Sequence, residues 1–190
     1  PADTTANDAG DGDSGGNDLL NFPEISAAVV SGSDVDVTYT LDVPAGNYRV
    51  EFFSNPSGAD ATGYGEGEVF VHAEAISHAG FGTAGFTASF AGAAGDVITA
   101  TATEDVGGGD YGSTSEFSAA STVLSTVVTV NSTGNSADAF VGDGFCDTGG
   151  TNSAGADECT LRAAVAEANA SAVVDTIHFD IPTTAAGYSA

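Results

Sequence analysis

The stretch SDVDVTYTLDVPAGNYRVEFF, Ser33–Phe53, decides how most of the chain folds. Val35, Val37, Tyr39 and Leu41 alternate with Asp34, Asp36, Thr38 and Thr40. Successive side chains of a strand point to opposite faces, so this alternation describes a strand with one buried and one solvated face. After the turn DVPAG, Tyr48, Val50 and Phe52 alternate with Arg49 and Glu51 in the same way. Working outward, FPEISAAVVS precedes this pair, and EVFVHAEAIS, AGFTASF, DVITATATE and STSEFSAA follow it. These make seven short strands between residues 19 and 120, separated by turns and uninterrupted by a helix. That pattern predicts a mostly β chain with an antiparallel β-sandwich over 19–120.

The remainder reads differently. TVLSTVVTV, from Thr122, is a dense β-branched strand, and a Gly- and Asp-rich loop of roughly 25 residues follows it. ECTLRAAVAEANA, Glu158–Ala170, is the one convincing helix, with Thr160 as its N-cap and Glu158 near the positive end of its dipole. Leu161, Ala164, Val165 and Ala168 form its apolar face, with Arg162 and Glu167 off that stripe. DTIHFDIP ends the pattern with Ile177, Phe179 and Ile181 on one side. Residues 121–190 therefore read as a small β-rich segment with one capping helix.

Composition excludes some functions. The 190 residues carry 27 carboxylates against two basic side chains, Arg49 and Arg162, for a formal charge of −25. Nucleic acid and anionic membranes need clustered Lys and Arg, so neither is an expected partner. No apolar run is long enough to span a membrane. Self-repulsion on this scale calls for screening by salt or for bound Ca²⁺. Adaptation to a saline habitat and a specific calcium requirement both remain open on this reading. An opening of PADTT, without Met, suggests a processed product or a piece of a longer chain, with any signal peptide lying outside it.

Cys146 and Cys159 lie 13 residues apart around the long loop. Two cysteines without nearby histidines are too few for structural zinc, and no base stands near to activate a thiol. A disulfide is the expected outcome, worth about 3 kcal/mol in the loop-entropy model, and it implies an oxidising, extracellular or cell-surface setting. Residues 1–18 are an acidic linker or an ion-binding loop, in which Asp8, Asp11, Asp13, Asn17 and Asp18 are candidate Ca²⁺ ligands. Asp143 and Asp147, with Asp157 and Glu158, form a weaker second candidate. Glu66 and Glu68 in GYGEGE fit a hairpin tip better than a ligand set. The histidines His72, His78 and His178 share no motif; His72 and His178 fall at outward strand positions, and all three read as ordinary exposed side chains. Asn131 and Asn169 sit in N-x-[ST] sequons, and Asn131 is the better glycosylation candidate. No hydrolase or metalloprotease motif is present, and with so many acids a pair of carboxylates carries no information about glycoside hydrolysis.

Two resemblances follow from these residues. TVVTVNST, DGFCD, ECTLRAAVAEANA and VVDTIHFDIP together resemble the opening segment of right-handed parallel β-helix proteins that carry a Cys-Ser-Leu-Arg-Glu-Ala motif. Here the motif reads Cys159, Thr160, Leu161, Arg162, Ala163, Ala164, with Thr for Ser and Ala for Glu. The resemblance spans about 122–182 and implies a helix that caps the open end of a solenoid. LLNFPEISAA, YRVEFFSNPSG, GYGEGEVFV and VITATATEDVGGGDYGSTSEFS resemble the Ig-like modules of large bacterial and archaeal surface proteins, over about 17–118.

A cap without its stack leaves Leu161, Val165, Ala168, Ile177, Phe179 and Ile181 to be covered by further rungs or by the next molecule. The expected function is thus a non-catalytic structural module of an extracellular filament, surface layer or adhesin, joined head-to-tail to copies of itself. The alternatives are a cap fragment of a β-helix enzyme acting on polysaccharide, or a glycan-binding module using Tyr64 and Tyr111 as an aromatic platform.

Overall fold

The computed structural model describes residues 4–12, 14–171 and 176–188. The chain divides into two compact units, Pro1–Val123 and Leu124–Ala190.

The first unit contains β1 (Glu24–Ser31), β2 (Asp34–Leu41), β3 (Gly46–Ser54), β4 (Val69–His78), β5 (Ala84–Ala91), β6 (Val97–Gly107), β7 (Asp110–Thr114) and the short β8 (Ser121–Thr122). One antiparallel sheet has the order β1-β2-β5, and the other has the order β4-β3-β6-β7, with β8 pairing β6. The two sheets share one core. Val35, Val37, Tyr39 and Leu41 of β2 meet Tyr48, Val50 and Phe52 of β3, with Ala88 and Phe90 of β5 and Ile98, Ala100 and Ala102 of β6. Arg49 and Glu51 pair on the outer surface at 3.0 Å. Both strands of the opening stretch thus bury the side that their alternation marks. Tyr39 meets Phe52 edge-on at 5.5 Å, and Phe90 lies 5.3 Å from Phe52.

β4 departs from the expected faces. His72 pairs with Phe52 in register and stacks on Phe90 at 5.4 Å, so it faces inward rather than outward. Two residues on, the Glu74 carboxylate accepts a 2.6 Å hydrogen bond from the Tyr39 hydroxyl. Burial, then the Glu74 bond and charge, push the phenol's pKa well up. His78 is buried, not exposed. Its Nδ1 accepts from Gly80 N, so Nε2 carries the proton and donates to Leu41 O at 3.0 Å. A side chain on Gly80 would meet Ala45 N at 2.6 Å, and its φ of +77° also favours glycine there. The Glu74 carboxylate and both His78 nitrogens are thus hydrogen-bonded, as burial requires, while His72 is held by its ring stack.

The seventh strand lies earlier than STSEFSAA. The glycines 107–109 turn the chain directly from β6 into β7, and 115–120 does not continue the ladder. Ser115 and Ser118 sit three residues apart, which breaks period two. Each donates its N–H to a β6 carbonyl, and its hydroxyl accepts the returning N–H: Ser115 pairs so with Ala102 and Ser118 with Ala100. The hydroxyls replace the carbonyls that a strand would offer.

TVLSTVVTV is not one strand. Val123 is buried in the first core, while Val128 and Val130 belong to the second. The second unit pairs β9 (Val127–Val130) with β10 (Thr176–Phe179) in parallel, Ile177 opposite Val128 and Phe179 opposite Val130. Parallel neighbours need a crossover connection. The long loop and α1 (Leu161–Ala170) provide it, and Ser132 and Thr160 add a parallel bridge. The second core is small: Val128, Val130, Cys159 and Ala164, with Cys146, Ile177 and Ile181 against it.

Candidate functional site

The helix begins where its cap dictates. Thr160 Oγ1 accepts from Ala163 N at 3.1 Å and donates to Ser136 O at 2.7 Å. Its packed face, however, is Ala163, Ala164 and Glu167, not the stripe of larger residues. Small side chains allow a close approach, and the helix uses its alanines for it. Leu161 and Val165 remain 48% and 43% exposed, and Ala168 is half-buried. Glu167, expected off the packed face, is only 3% exposed. Its two oxygens accept from Gly142 N and Gly144 N, both at 2.5 Å, which pins the long loop to the helix. The only sequence signal for this role is its spacing of four and three residues from the two alanines.

Leu161 and Val165 line an open groove of about 630 Å³ together with Arg162, Val130, Phe179 and Ile181. Phe179 is 62% exposed, while Ile177 and Ile181 are half-buried. Among the described residues β9 and β10 form a two-stranded sheet, with no further strand beyond either edge. The groove therefore sets apolar side chains beside a two-stranded sheet.

Cys146 and Cys159 are joined, with Cα atoms 5.2 Å apart. Asn131 brackets the same closure. Its Nδ2 donates to Asp157 O and its Oδ1 accepts from Cys159 N, both at 2.8 Å. A glycan on Nδ2 would leave that nitrogen one N–H, which the bond to Asp157 O then needs, whereas Asn169 lies exposed on the helix.

The carboxylates of the long loop form local turns. Asp138, Asp143 and Asp147 each accept from the backbone N–H two residues on, at Phe140, Phe145 and Gly149, and Asn152 does the same for Ala154. Asp157 pairs through its backbone with Thr151. The Glu158 carboxylate accepts from the hydroxyls of Ser132 at 2.6 Å and Thr148 at 2.8 Å, which hold its pKa below the usual glutamate value.

That shift sets a pH dependence. A depressed folded pKa contributes stability that is present above the unfolded value and lost as pH falls through the folded one. The second unit should therefore weaken on acidification below the usual glutamate pKa, about 4.3. Glu158→Gln should remove that component, and melting curves of the two proteins at pH 7 and pH 3.5 (roughly one unit below the usual glutamate pKa) test it. An equal acid loss in both would show that Glu158 is not responsible.

The acidic N-terminal loop is organised by Asn21, which is buried and has no motif to announce it. Its Oδ1 accepts from Asp8 N, its Nδ2 donates to Asp8 O and Asp42 O, and its N–H donates to the Asp11 carboxylate. Asp8 also accepts from Gly12 N, and Asp18 accepts from Ser113 Oγ. Asn17 lies in a short 3-10 turn, Gly16–Leu19. Asp13 lies outside the described residues. Among the described residues no three His, Cys, Asp or Glu side chains converge as a metal site would require. Glu66 and Glu68 lie in the connection from β3 to β4; Glu68 accepts from Ser57 N.

Tyr64 and Tyr111 are both exposed, and Tyr64 packs edge-on against Phe22 at 5.8 Å. Among the described residues no helix is long and apolar enough to cross a membrane. Compared with known proteins, the chain matches no family model, no curated protein and no solved structure.

Proposed function

We propose that this chain is a non-catalytic structural module of an extracellular filament, surface layer or adhesin, joined head-to-tail to copies of itself. The observation that carries the reading is the open groove of the second unit. Leu161, Val165 and Phe179 are large, apolar and exposed there, beside a two-stranded parallel sheet. Exposed apolar surface of this kind marks an interaction site, and an unpaired edge is a template for another strand. The strand division supports an Ig-like first unit. With β1 to β7 read as A to G, one sheet is A-B-E and the other carries C, F and G with the fourth strand on its edge. The disulfide fits an oxidising compartment.

A second reading has its own support. The parallel β9–β10 pair and the parallel Ser132–Thr160 bridge suit a cap that sits at the end of a β-helix acting on polysaccharide. In that case parallel rungs, not a second copy, cover the groove.

Sedimentation velocity over a wide concentration range separates the two readings. It is run in high salt to screen the charge of −25, with and without millimolar Ca²⁺. The expected result is a concentration-dependent series of end-to-end oligomers, abolished by Val165→Ser or Phe179→Ser, both at exposed positions. A chain that stays monomeric throughout overturns the self-assembly reading in favour of the β-helix cap. Oligomers unchanged by either substitution would place the contact elsewhere.

A further inference from the structure

We infer that a groove on the first unit is a receptor for a guanidinium group, and that the guanidinium is Arg162 of a second copy of this chain. This rests on the head-to-tail reading and names both of its contact surfaces.

The groove is shallow, about 420 Å³, and its walls include Asp60, Tyr64, Glu66, Glu116 and Phe117. Two aromatic rings and three carboxylates face one space. The rings are held by other rings: Phe117 stands edge-on to Phe53 at 5.4 Å, and Tyr64 edge-on to Phe22. The carboxylates are ordered too. Asp60 Oδ1 accepts from Thr62 N and Thr62 Oγ1, at 2.7 and 2.6 Å, which favours its charged form. Glu116 Oε2 accepts from Thr5 N at 2.7 Å. Among the described residues the Glu66 carboxylate has no hydrogen-bond or ion-pair partner. Its backbone sits at φ 110°, a conformation that side-chain-bearing residues rarely adopt, and Thr99 Oγ1 donates to its carbonyl at 2.7 Å.

A planar cation suits such a site. The guanidinium stacks on an aromatic face, and its fork of N–H donors meets carboxylate oxygens. Charge complementarity then selects the occupant. The chain has no lysine and two arginines. Arg49 is paired with Glu51 at 3.0 Å. Arg162 is exposed, and its contact within the described residues is a 3.5 Å bond to Asn135 O, not to a carboxylate. It lies on the helix beside the exposed Leu161 and Val165, so the surface that presents the cation also presents apolar area for Tyr64 and Phe117 to cover. The two patches differ, so the contact is heterologous and propagates. A pair of this kind also gives register to chains that otherwise repel one another.

The test is a charge exchange read by sedimentation velocity under the conditions above. Arg162→Gln and Glu66→Gln should each weaken association about tenfold or more, with circular dichroism and melting temperature unchanged. Arg162→Glu and Glu66→Arg chains should each be monomeric alone. Mixed in equal amounts, they should associate again, because each then offers the other an opposite charge at both contacts. A wild-type chain that never associates overturns the head-to-tail reading, and this inference with it. A wild-type chain that associates while the exchanged pair fails to recover overturns this inference alone.

Discussion

Phe52→Ala is expected to destabilise the first unit by about 3–5 kcal/mol, among the largest single-site losses available in this chain. Phe52 is fully buried where the two sheets meet. Tyr39 reaches it from β2, Phe90 from β5 and His72 from β4. Truncation removes the contacts of one ring and leaves three rings without a common neighbour. Tyr39 is held by its bond to Glu74, and His72 by its stack on Phe90, so neither can collapse into the space without giving up a second interaction. A cavity that cannot close raises the cost above the transfer term alone. Phe81, 94% exposed at the β4–β5 turn, is the control, and its truncation should cost less than about 0.5 kcal/mol. Denaturant midpoints at constant m-value give both numbers. A Phe52→Ala loss no larger than that of Phe81→Ala would mean that the two sheets do not share this core.

The same strands show why part of the fold was legible in sequence. β2 and β3 each have one apolar and one polar face, so alternation alone orients them. β4 does not. Its inward side chains include His72, Glu74 and His78, and each is tolerated because a partner from another strand satisfies or stacks on it. Such partners are distant in sequence, so nothing local marks the inward face. The serines at 115 and 118 defeated the strand reading for a related reason: a hydroxyl accepts in place of a carbonyl, and period two is lost without loss of hydrogen bonds. In the second unit, size misled. Large apolar residues mark a buried helix face only when the space opposite is wide, and here the helix lies close enough that alanines and one glutamate fill it. What was left over, Leu161 and Val165, became the groove. Of the six candidate assembly residues, Leu161, Val165 and Phe179 lie exposed, whereas Ala168, Ile177 and Ile181 are half-buried, the two isoleucines against the second core. In the acidic loops, closely spaced Asp and Gly suit both a cation loop and a succession of side-chain turns, and Asp138, Asp143 and Asp147 make such turns.

Replacing both Cys146 and Cys159 with serine is expected to cost the second unit about 2–5 kcal/mol. The 13-residue separation closes a loop worth about 3 kcal/mol of chain entropy, and the side-chain turns at Asp147 and Asn152 lie within it. The core it protects is small, with Val128, Val130, Cys159 and Ala164 as its buried apolar members. A unit of this size has little stability to spare, since short chains bury too little surface to hold more than a few kcal/mol in reserve. The bridge also positions groups beyond itself. Cys159 N donates to Asn131 Oδ1, and Thr160, the helix cap, follows it directly. Without the bridge, the loop is held by hydrogen bonds: the bracket at Asn131, the Glu158 bonds to Ser132 and Thr148, the Thr160 bond to Ser136 O, and the Glu167 bonds to Gly142 and Gly144. Hydrogen exchange resolves this by region. Amides of α1 should lose protection in the double-serine chain, or in the native chain under reductant, while amides of β3 in the first unit keep theirs. The consequence reaches the groove, whose walls at Leu161 and Val165 exist only while α1 is folded. If the head-to-tail proposal holds, its end-to-end oligomers should therefore dissolve under reductant at unchanged salt. If α1 stays protected after reduction, the small core and the Asn131 bracket are sufficient, and the bridge is not what holds this surface together.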